Sequence, residues 1–182
     1  STFTIHHAPS SSISNSTIAK LAKALKKAKT ALEYLKANYY NLGEGISAGL
    51  PRFPNYWARD TGWSLRGYLS MGQYDFSLRV IENFLKRQAK YTHNGAVKGE
   101  LPMVISGRTF LHNTTYGSAD STFLFPWAIR EYVHGTGDTQ YLSKRWGSIV
   151  DLVNSGFLKD IDGDEFIEHG FSGTAEKLPI QD

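Results

Sequence analysis

Apolar residues recur along the chain at the spacing of an α-helix, and the first such series begins after Ser16. Its members follow one another at steps of three or four residues and share one helical face: Ile18, Leu21, Leu25, Ala28, Leu32 and Leu35. This pattern predicts a helix with one buried stripe. Lys20, Lys23 and Lys27 lie off the stripe, so we expect them to face water.

Four more helices are predicted, each bounded by residues that commonly start or stop a helix. They run from Asp60 to about Met71, from Asp75 to about Lys90, from Ser118 to Gly135 and from Asp138 to Gly156. One face of the second of these carries Phe76, Val80, Ile81, Phe84 and Leu85. In the last, the residues expected to face inward are Leu142, Trp146, Ile149, Val150 and Val153.

The connections between these helices are alternately short and long. About three residues join the second helix to the third and about two join the fourth to the fifth, whereas residues 91–117 form a long irregular stretch. Residues 41–58 form another loop, and residues 1–15 an extended lead-in. There is no convincing series of strands. Helices paired by tight turns predict an all-α fold of stacked helical hairpins, whose long loops collect at one end.

Composition narrows the classes of function. The chain has no cysteine, which excludes a disulfide scaffold, a thiolate zinc site and a cysteine nucleophile. It has no apolar run long enough to span a membrane. The net charge of +3 comes from five lysines within residues 1–30, and elsewhere acidic residues outnumber basic ones. A nucleic-acid surface would therefore rest on the first helix alone. We expect a cytoplasmic protein that binds neither membrane nor nucleic acid.

The segment from Pro51 to Thr61 has the residue types of a sugar site. It combines two prolines, two aromatic rings and the adjacent pair Arg59 and Asp60. Flat rings such as Trp57 pack on the apolar face of a pyranose, and an arginine with a carboxylate binds neighbouring hydroxyls as donor and acceptor. Aromatic residues make up 13% of the chain, and rings that a core does not need tend to line ligand sites. A structural ion pair, with Asp60 capping a helix, is the alternative interpretation.

A second candidate segment runs from Tyr116 to Ser121 and contains Asp120. Asp120 is expected in the first turn of a helix, where the helix dipole alone would favour a carboxylate.

The acid-rich residues 158–182 form a third segment. Asp160-x-Asp162-x-Asp164 begins like a calcium loop, but Glu165 and Phe171 stand where an EF-hand needs glycine and glutamate, so an EF-hand is excluded. A looser calcium site stays open as an alternative. The adjacent His6 and His7 would point to opposite faces of an extended segment, which does not favour a metal site.

Several of these motifs, in the same order, resemble one family. Tyr56-Trp57-Ala58-Arg59-Asp60 looks like the substrate motif in the first hairpin of glycoside hydrolases with a six-hairpin α/α barrel, which include glucoamylases and the amylo-α-1,6-glucosidase domains of glycogen debranching enzymes. Four further segments are similar to segments of this family. Gly99-Glu100-Leu101-Pro102 resembles its substrate-lining loop, and the run from Tyr116 to Thr122, with Phe125 and Trp127, resembles the start of one of its helices. Tyr132 with Gly135-x-Gly137-Asp138 and Leu142 resembles a hairpin turn, and Asp162-Gly163-Asp164 with Gly170 resembles an acidic loop. The resemblance covers about residues 16–182.

The resemblance implies that residues 16–182 form the first half of an (α/α)6 barrel. In the debranching family the general acid is the aspartate of a Trp-Met-Asp motif after the acidic loop, and this motif does not occur here. The chain stops at Asp182, where the motif would be expected. We therefore expect the general acid and base in the missing C-terminal half of the barrel, which becomes a partner of this chain. Within the chain, Asp182 and Glu168 are the catalytic candidates.

The activity implied by the resemblance is inverting hydrolysis of α-glucosidic bonds in glycogen- or starch-type glucans. Arg59 and Asp60 would hold the non-reducing sugar, Trp57 and Tyr116 would wall it, and Asp120 would hydrogen-bond it. No cofactor or metal is needed, because both steps are proton transfers. A non-catalytic helical-hairpin module that binds carbohydrate or protein through its long loops is the alternative.

The same expectation predicts that the isolated 182-residue chain is inert. Inversion needs an acid and a base on opposite sides of the sugar, and no residue here has a motif for the base. Steady release of glucose from maltooligosaccharide or limit dextrin by the purified chain would contradict this expectation.

Overall fold

Helices make up most of the described chain. The computed structural model describes residues 14–39, 41–92, 96–106, 114–117 and 119–159. Within these residues the helices are α1 (Asn15–Leu35), α2 (Ala58–Ser70), α3 (Tyr74–Leu85), α4 (Ser121–Thr136) and α5 (Thr139–Phe157). The strands are β1 (Lys36–Tyr39), β2 (Gly43–Ile46), β3 (Tyr56–Trp57), β4 (Val104–Ile105) and β5 (Thr114–Thr115). The predicted all-α class is confirmed, and each of the five predicted helices is present.

The chain divides into two compact units, residues 1–34 and residues 35–182. The described part of the first unit consists of Ser14 and helix α1. The side-chain oxygen of Ser14 accepts a hydrogen bond from the backbone N–H of Thr17 at 3.3 Å. No residue of α1 is buried, and Ile18, Leu21 and Leu25 are 52–68% exposed. The predicted helix is confirmed, but the predicted burial of its stripe is wrong. Periodicity specifies which face of a helix is apolar, and it does not specify what covers that face.

Three lysines of α1 lie on its exposed surface, and replacing them should have little effect on stability. Lys20, Lys23 and Lys27 are exposed, as predicted. Replacing all three by glutamine is expected to change the free energy of unfolding by less than about 0.5 kcal/mol, because substitutions at such surface positions rarely do more. Urea titration followed by circular dichroism measures this. A much larger loss of stability would contradict the exposed placement of these lysines.

The second unit begins with short antiparallel strands. β1 pairs with β2, and β3, β4 and β5 form a three-stranded sheet in that order. The β1–β2 turn is fixed to α3 because the Asn83 side chain donates to the carbonyls of Leu42 at 2.8 Å and Glu44 at 2.7 Å. The predicted loops 41–58 and 91–117 therefore contain strands. Strands of two to four residues are too short to show a period-two pattern in the sequence.

Tight turns join the helices into two hairpins, as predicted. Residues 71–73 connect α2 to α3, and Gly137 and Asp138 connect α4 to α5. Gly137 ends α4 in the left-handed region at φ 73°, a position where glycine is strongly preferred. The predicted stop at Gly135 is wrong. Gly135 lies inside α4, and a Cβ atom there would come within 2.6 Å of the Tyr74 ring.

Two predicted aspartate caps are also displaced. Trp57 and Gln73 occupy the N-cap positions of α2 and α3, so Asp60 and Asp75 lie in the first turns. Aspartate is favoured both as a cap and in the first turn, so the sequence does not separate these positions. Ser118 lies outside the described residues, and Asp120 is at the N-cap of α4.

Helix α3 ends earlier than predicted, at Leu85 instead of about Lys90. The backbone beyond it bonds to a distant segment. The N–H of Ala89 donates to the carbonyl of Glu100 at 2.9 Å, and the carbonyl of Ala89 accepts from the N–H of Gly99 at 2.8 Å. A helix continuing through Ala89 would direct these groups along its own axis, so long-range pairing overrides the local pattern here.

Helices α2 and α4 run parallel and in close contact. A Cβ atom on Gly62 would lie 2.7 Å from the Cβ of Leu124, and one turn further along both helices the Arg66 guanidinium lies 5.1 Å from the Trp127 ring centroid. Residue numbers rise together from one contact to the next in both helices, so the N-terminal ends of α2 and α4 lie at the same end of the pair.

Helices α3 and α5 are likewise parallel to each other. The Glu82 carboxylate accepts from the Tyr141 hydroxyl and from Nε of Arg145, both at 2.8 Å, and further along Gln88 donates to the carbonyl of Ser148 at 2.7 Å. Burial, with a further effect of the bond to Glu82, raises the pKa of Tyr141. The two antiparallel hairpins therefore lie side by side in the same orientation.

The predicted inward face of α3 is confirmed, whereas that of α5 is partly wrong. All five predicted α3 residues are buried. In α5 the buried residues are Tyr141, Ile149, Leu152, Ser155 and Gly156, while Trp146 is 58% exposed and Val150 is also exposed. Because Tyr141 and Arg145 reach Glu82, the inward face of α5 is rotated by about one residue from the predicted one.

The cap of α5 gives a second prediction. Asp138 accepts from the backbone N–H of Tyr141 at 2.9 Å, as the sequence predicts for a helix cap. Asp138→Ala is expected to lower the free energy of unfolding by about 1–2 kcal/mol. Asp138→Asn keeps an acceptor oxygen and is expected to lose much less. Thermal and urea unfolding measure both variants, and equal losses would show that capping is not the cause.

Candidate functional site

The N-terminal ends of α2 and α4 lie next to one another because these helices are parallel. Arg59 is in the first turn of α2 and Asp120 is at the start of α4, and their charged groups are 3.9 Å apart. The Arg59 side chain is 57% exposed and that of Asp120 is 35% exposed. An exposed pair of this kind adds little stability. The structure thus brings together two predicted site residues that are 61 positions apart in the sequence.

Strand β3 leads the chain into this end of α2. Tyr56 is fully buried, and its hydroxyl donates to the carbonyl of Gly43 at 2.9 Å. Burial raises the pKa of Tyr56. Neighbouring strand residues face opposite sides, so Trp57 faces away from Tyr56, and it is half-buried. The N–H of Ala58 donates to the carbonyl of Met103 at 2.8 Å, which fixes the start of α2 to the segment before β4.

Asp60 lies in the first turn of α2 and is half-buried. Its carboxylate makes no hydrogen bond or ion pair with any other residue that the structure describes. The helix dipole stabilises a negative charge at this position. The alternative of an Arg59–Asp60 pair with Asp60 as the cap is not what the structure shows. Arg59 pairs with Asp120, and no side chain caps α2.

Tyr116 lies shortly before α4, four residues ahead of Asp120. Its hydroxyl donates to the backbone carbonyl of Arg87 at 2.7 Å, and its side chain is half-buried. This bond holds Tyr116 against the segment that follows α3. The predicted role of Tyr116 as a wall of the site stays a prediction.

Glu100 differs from its predicted environment. The resemblance of Gly99-Glu100-Leu101-Pro102 to a substrate-lining loop places it at a sugar surface, yet Glu100, Leu101 and Pro102 are buried, and Glu100 has no exposed area. Its carboxylate pairs with Lys159, which is 1% exposed, at 2.5 Å. The sequence alone does not predict this pair. Its one signal there is Lys159, a rare basic residue in an acid-rich stretch.

The two catalytic candidates, Glu168 and Asp182, lie outside the described residues, as do the possible calcium segment 160–164 and the pair His6 and His7. Within the part of the chain that the structure describes, no cluster of three or more His, Cys, Asp or Glu residues could hold a metal ion. None of the helices there is both long enough and apolar enough to cross a membrane.

The comparison with known families adds an independent finding. A model of the amylo-alpha-1,6-glucosidase family matches residues 29–170, and this range includes Trp57, Arg59, Asp60, Tyr116 and Asp120. No curated protein matches the chain significantly.

Proposed function

Because the chain belongs to the amylo-alpha-1,6-glucosidase family, we propose that it is part of the catalytic domain of a glycoside hydrolase that acts on glycogen- or starch-type α-glucans. The observation that carries this proposal is the shared location of four side chains. Trp57, Arg59, Asp60 and Asp120 lie at one end of the parallel pair α2 and α4. A ring, a guanidinium and two carboxylates at one partly exposed place are suited to a pyranose.

In the proposed complex Arg59 and Asp60 bind the hydroxyls of the non-reducing glucose. The guanidinium carries five donors, and its 3.9 Å separation from Asp120 is longer than a hydrogen bond, so its donors are available to a sugar. Asp60 supplies acceptors. Trp57 and Tyr116 form the walls, and Asp120 accepts from a further hydroxyl while it orients Arg59.

The proposed reaction is inverting hydrolysis. A carboxylic acid protonates the leaving oxygen, and a carboxylate about 6.5–9.5 Å away activates water. Neither step needs a cofactor. Glu168 and Asp182 are the candidates within this chain, and a C-terminal half that completes an (α/α)6 barrel would supply the acid and base otherwise. The side-by-side hairpins of residues 58–157 support this arrangement, because further hairpins can extend the array in the same orientation.

A hydrolysis assay on the full-length natural protein tests the proposal. With limit dextrin or maltooligosaccharide as substrate, proton NMR should show β-glucose before mutarotation, since inversion converts an α-linkage to a β-product. Release of α-glucose first would contradict inversion. Tight binding of the glucan without any glucose release would favour the non-catalytic binding module.

A further inference from the structure

Glu100 is the centre of a fully buried polar cluster. One carboxylate oxygen accepts from the backbone N–H of Val97 at 3.0 Å. The other accepts from the backbone N–H of Gly117 at 2.7 Å and from the Lys159 ammonium at 2.5 Å. Glu100 and Lys159 are at most 1% exposed. A buried carboxylate is tolerated only when it is paired and hydrogen-bonded, and here Lys159 provides the counter-charge.

The bond to Gly117 connects this cluster to the proposed sugar site. Gly117 has φ 116°, a backbone conformation that residues with a side chain rarely adopt. It follows Tyr116, whose hydroxyl is bonded to the carbonyl of Arg87, and it precedes Asp120 by three residues. The short segment that leads into α4 is thus held at two neighbouring residues, at Tyr116 by the backbone of Arg87 and at Gly117 by the Glu100 carboxylate.

We propose that Glu100 is a positioning residue for the glucan site. Through Gly117 it fixes the segment from Tyr116 to Asp120, and so it sets the position of the Asp120 carboxylate opposite Arg59. Lys159 compensates the buried charge and anchors the end of α5 to the same point. This inference rests on the proposed function. It differs from the role in lining the substrate that the sequence suggests, because Glu100 is out of reach of any sugar.

Two paired variants separate positioning from general stability. Lys159→Met combined with Glu100→Met removes both charges and every acceptor for the Gly117 N–H. Lys159→Met combined with Glu100→Gln also removes both charges but keeps an acceptor oxygen. Neither pair leaves an unpaired buried charge, so both are expected to fold.

Hydrogen exchange and maltotriose affinity are measured in the full-length natural protein and in both pairs, well below their melting temperatures. In the variant with Glu100→Met and Lys159→Met (the Met/Met pair), we expect the amides of residues 114–120 to exchange at least tenfold faster and maltotriose to bind at least tenfold more weakly. In the variant with Glu100→Gln and Lys159→Met (the Gln/Met pair), the exchange rates and the affinity are expected to stay within about threefold of those of the natural protein. Asp138→Ala is the control for lost stability alone. Asp138 caps α5 and follows the C-terminal end of α4, whereas Asp120 is at the N-terminal end of α4. The affinity of this variant for maltotriose should be unchanged.

The outcomes distinguish the inference from the proposed function. If the natural protein binds maltotriose and the Met/Met pair binds it equally well, positioning by Glu100 is overturned while the glucan site stands. If the natural protein does not bind maltotriose, the proposed function fails, and exchange of residues 114–120 decides the positioning role alone. Unchanged exchange in the Met/Met pair would then overturn it, and faster exchange confined to that segment would support it.

Discussion

Replacing Arg59 or Asp60 by alanine is expected to abolish measurable binding of maltotriose by the full-length natural protein while its melting temperature stays the same. Hydrogen bonds to charged groups contribute about 1.5–3 kcal/mol each, which corresponds to roughly 10–150-fold in affinity. Both side chains are partly exposed, and neither is part of the buried core, so the loss should appear in binding and not in folding. Isothermal titration calorimetry with maltotriose measures the effect.

Arg130→Ala is the matched control for this prediction. Arg130 is an exposed arginine on α4 that pairs with its neighbour Glu131 and lies outside the proposed site. Its removal should leave the affinity unchanged. Unchanged affinity in the Arg59 and Asp60 variants as well, with unchanged melting temperatures, would mean that these residues do not hold the sugar.

Gly62→Ala is expected to destabilise the protein although alanine is the better helix former. The added Cβ would lie 2.7 Å from the Cβ of Leu124, an atom fixed to the backbone of α4, so the two helices would have to move apart. Overpacking of this kind costs about 1–3 kcal/mol, and the gain in helix propensity is about 1 kcal/mol. We expect a net loss of up to about 2 kcal/mol in the free energy of unfolding, measured by urea titration.

Gly147→Ala in α5 makes the same chemical change without the contact. A Cβ atom there would meet nothing within 4 Å. This variant is expected to gain about 0.5–1 kcal/mol, because alanine loses less conformational entropy on folding. If both variants were stabilised equally, the close approach of α2 to α4 would be contradicted.

The helices could be predicted from the sequence because their causes are local. The period of apolar residues in α3 and the cap at Asp138 act within one helix, and both predictions are confirmed. The tight turn before Tyr74 follows from Gly72 in the same way, whereas α4 ends at Gly137 and not at the predicted Gly135. Where a distant segment competes, the local signal fails. Helix α3 stops at Leu85 because Ala89 pairs with Gly99 and Glu100.

The candidate site was predictable in composition but not in arrangement. The run that contains Trp57, Arg59 and Asp60 has sugar-binding chemistry whatever its surroundings. The approach of Arg59 to Asp120 depends on the parallel packing of α2 and α4, for which the chain between them has no periodic signal. The pairing of Glu100 with Lys159 across 59 positions also depends on the packing of distant segments. The burial that distinguishes this pair from a surface ion pair is not visible in a sequence.

A crystal structure of the full-length natural protein with bound maltotriose would show where the sugar binds. We expect a glucose unit at the N-terminal ends of α2 and α4, with hydroxyls within hydrogen-bonding distance of the Arg59 guanidinium and the Asp60 carboxylate and with Trp57 beside the ring. A sugar bound instead at the other end of these helices, near Ser70 and Thr136, with Arg59 and Asp60 untouched, would contradict this expectation.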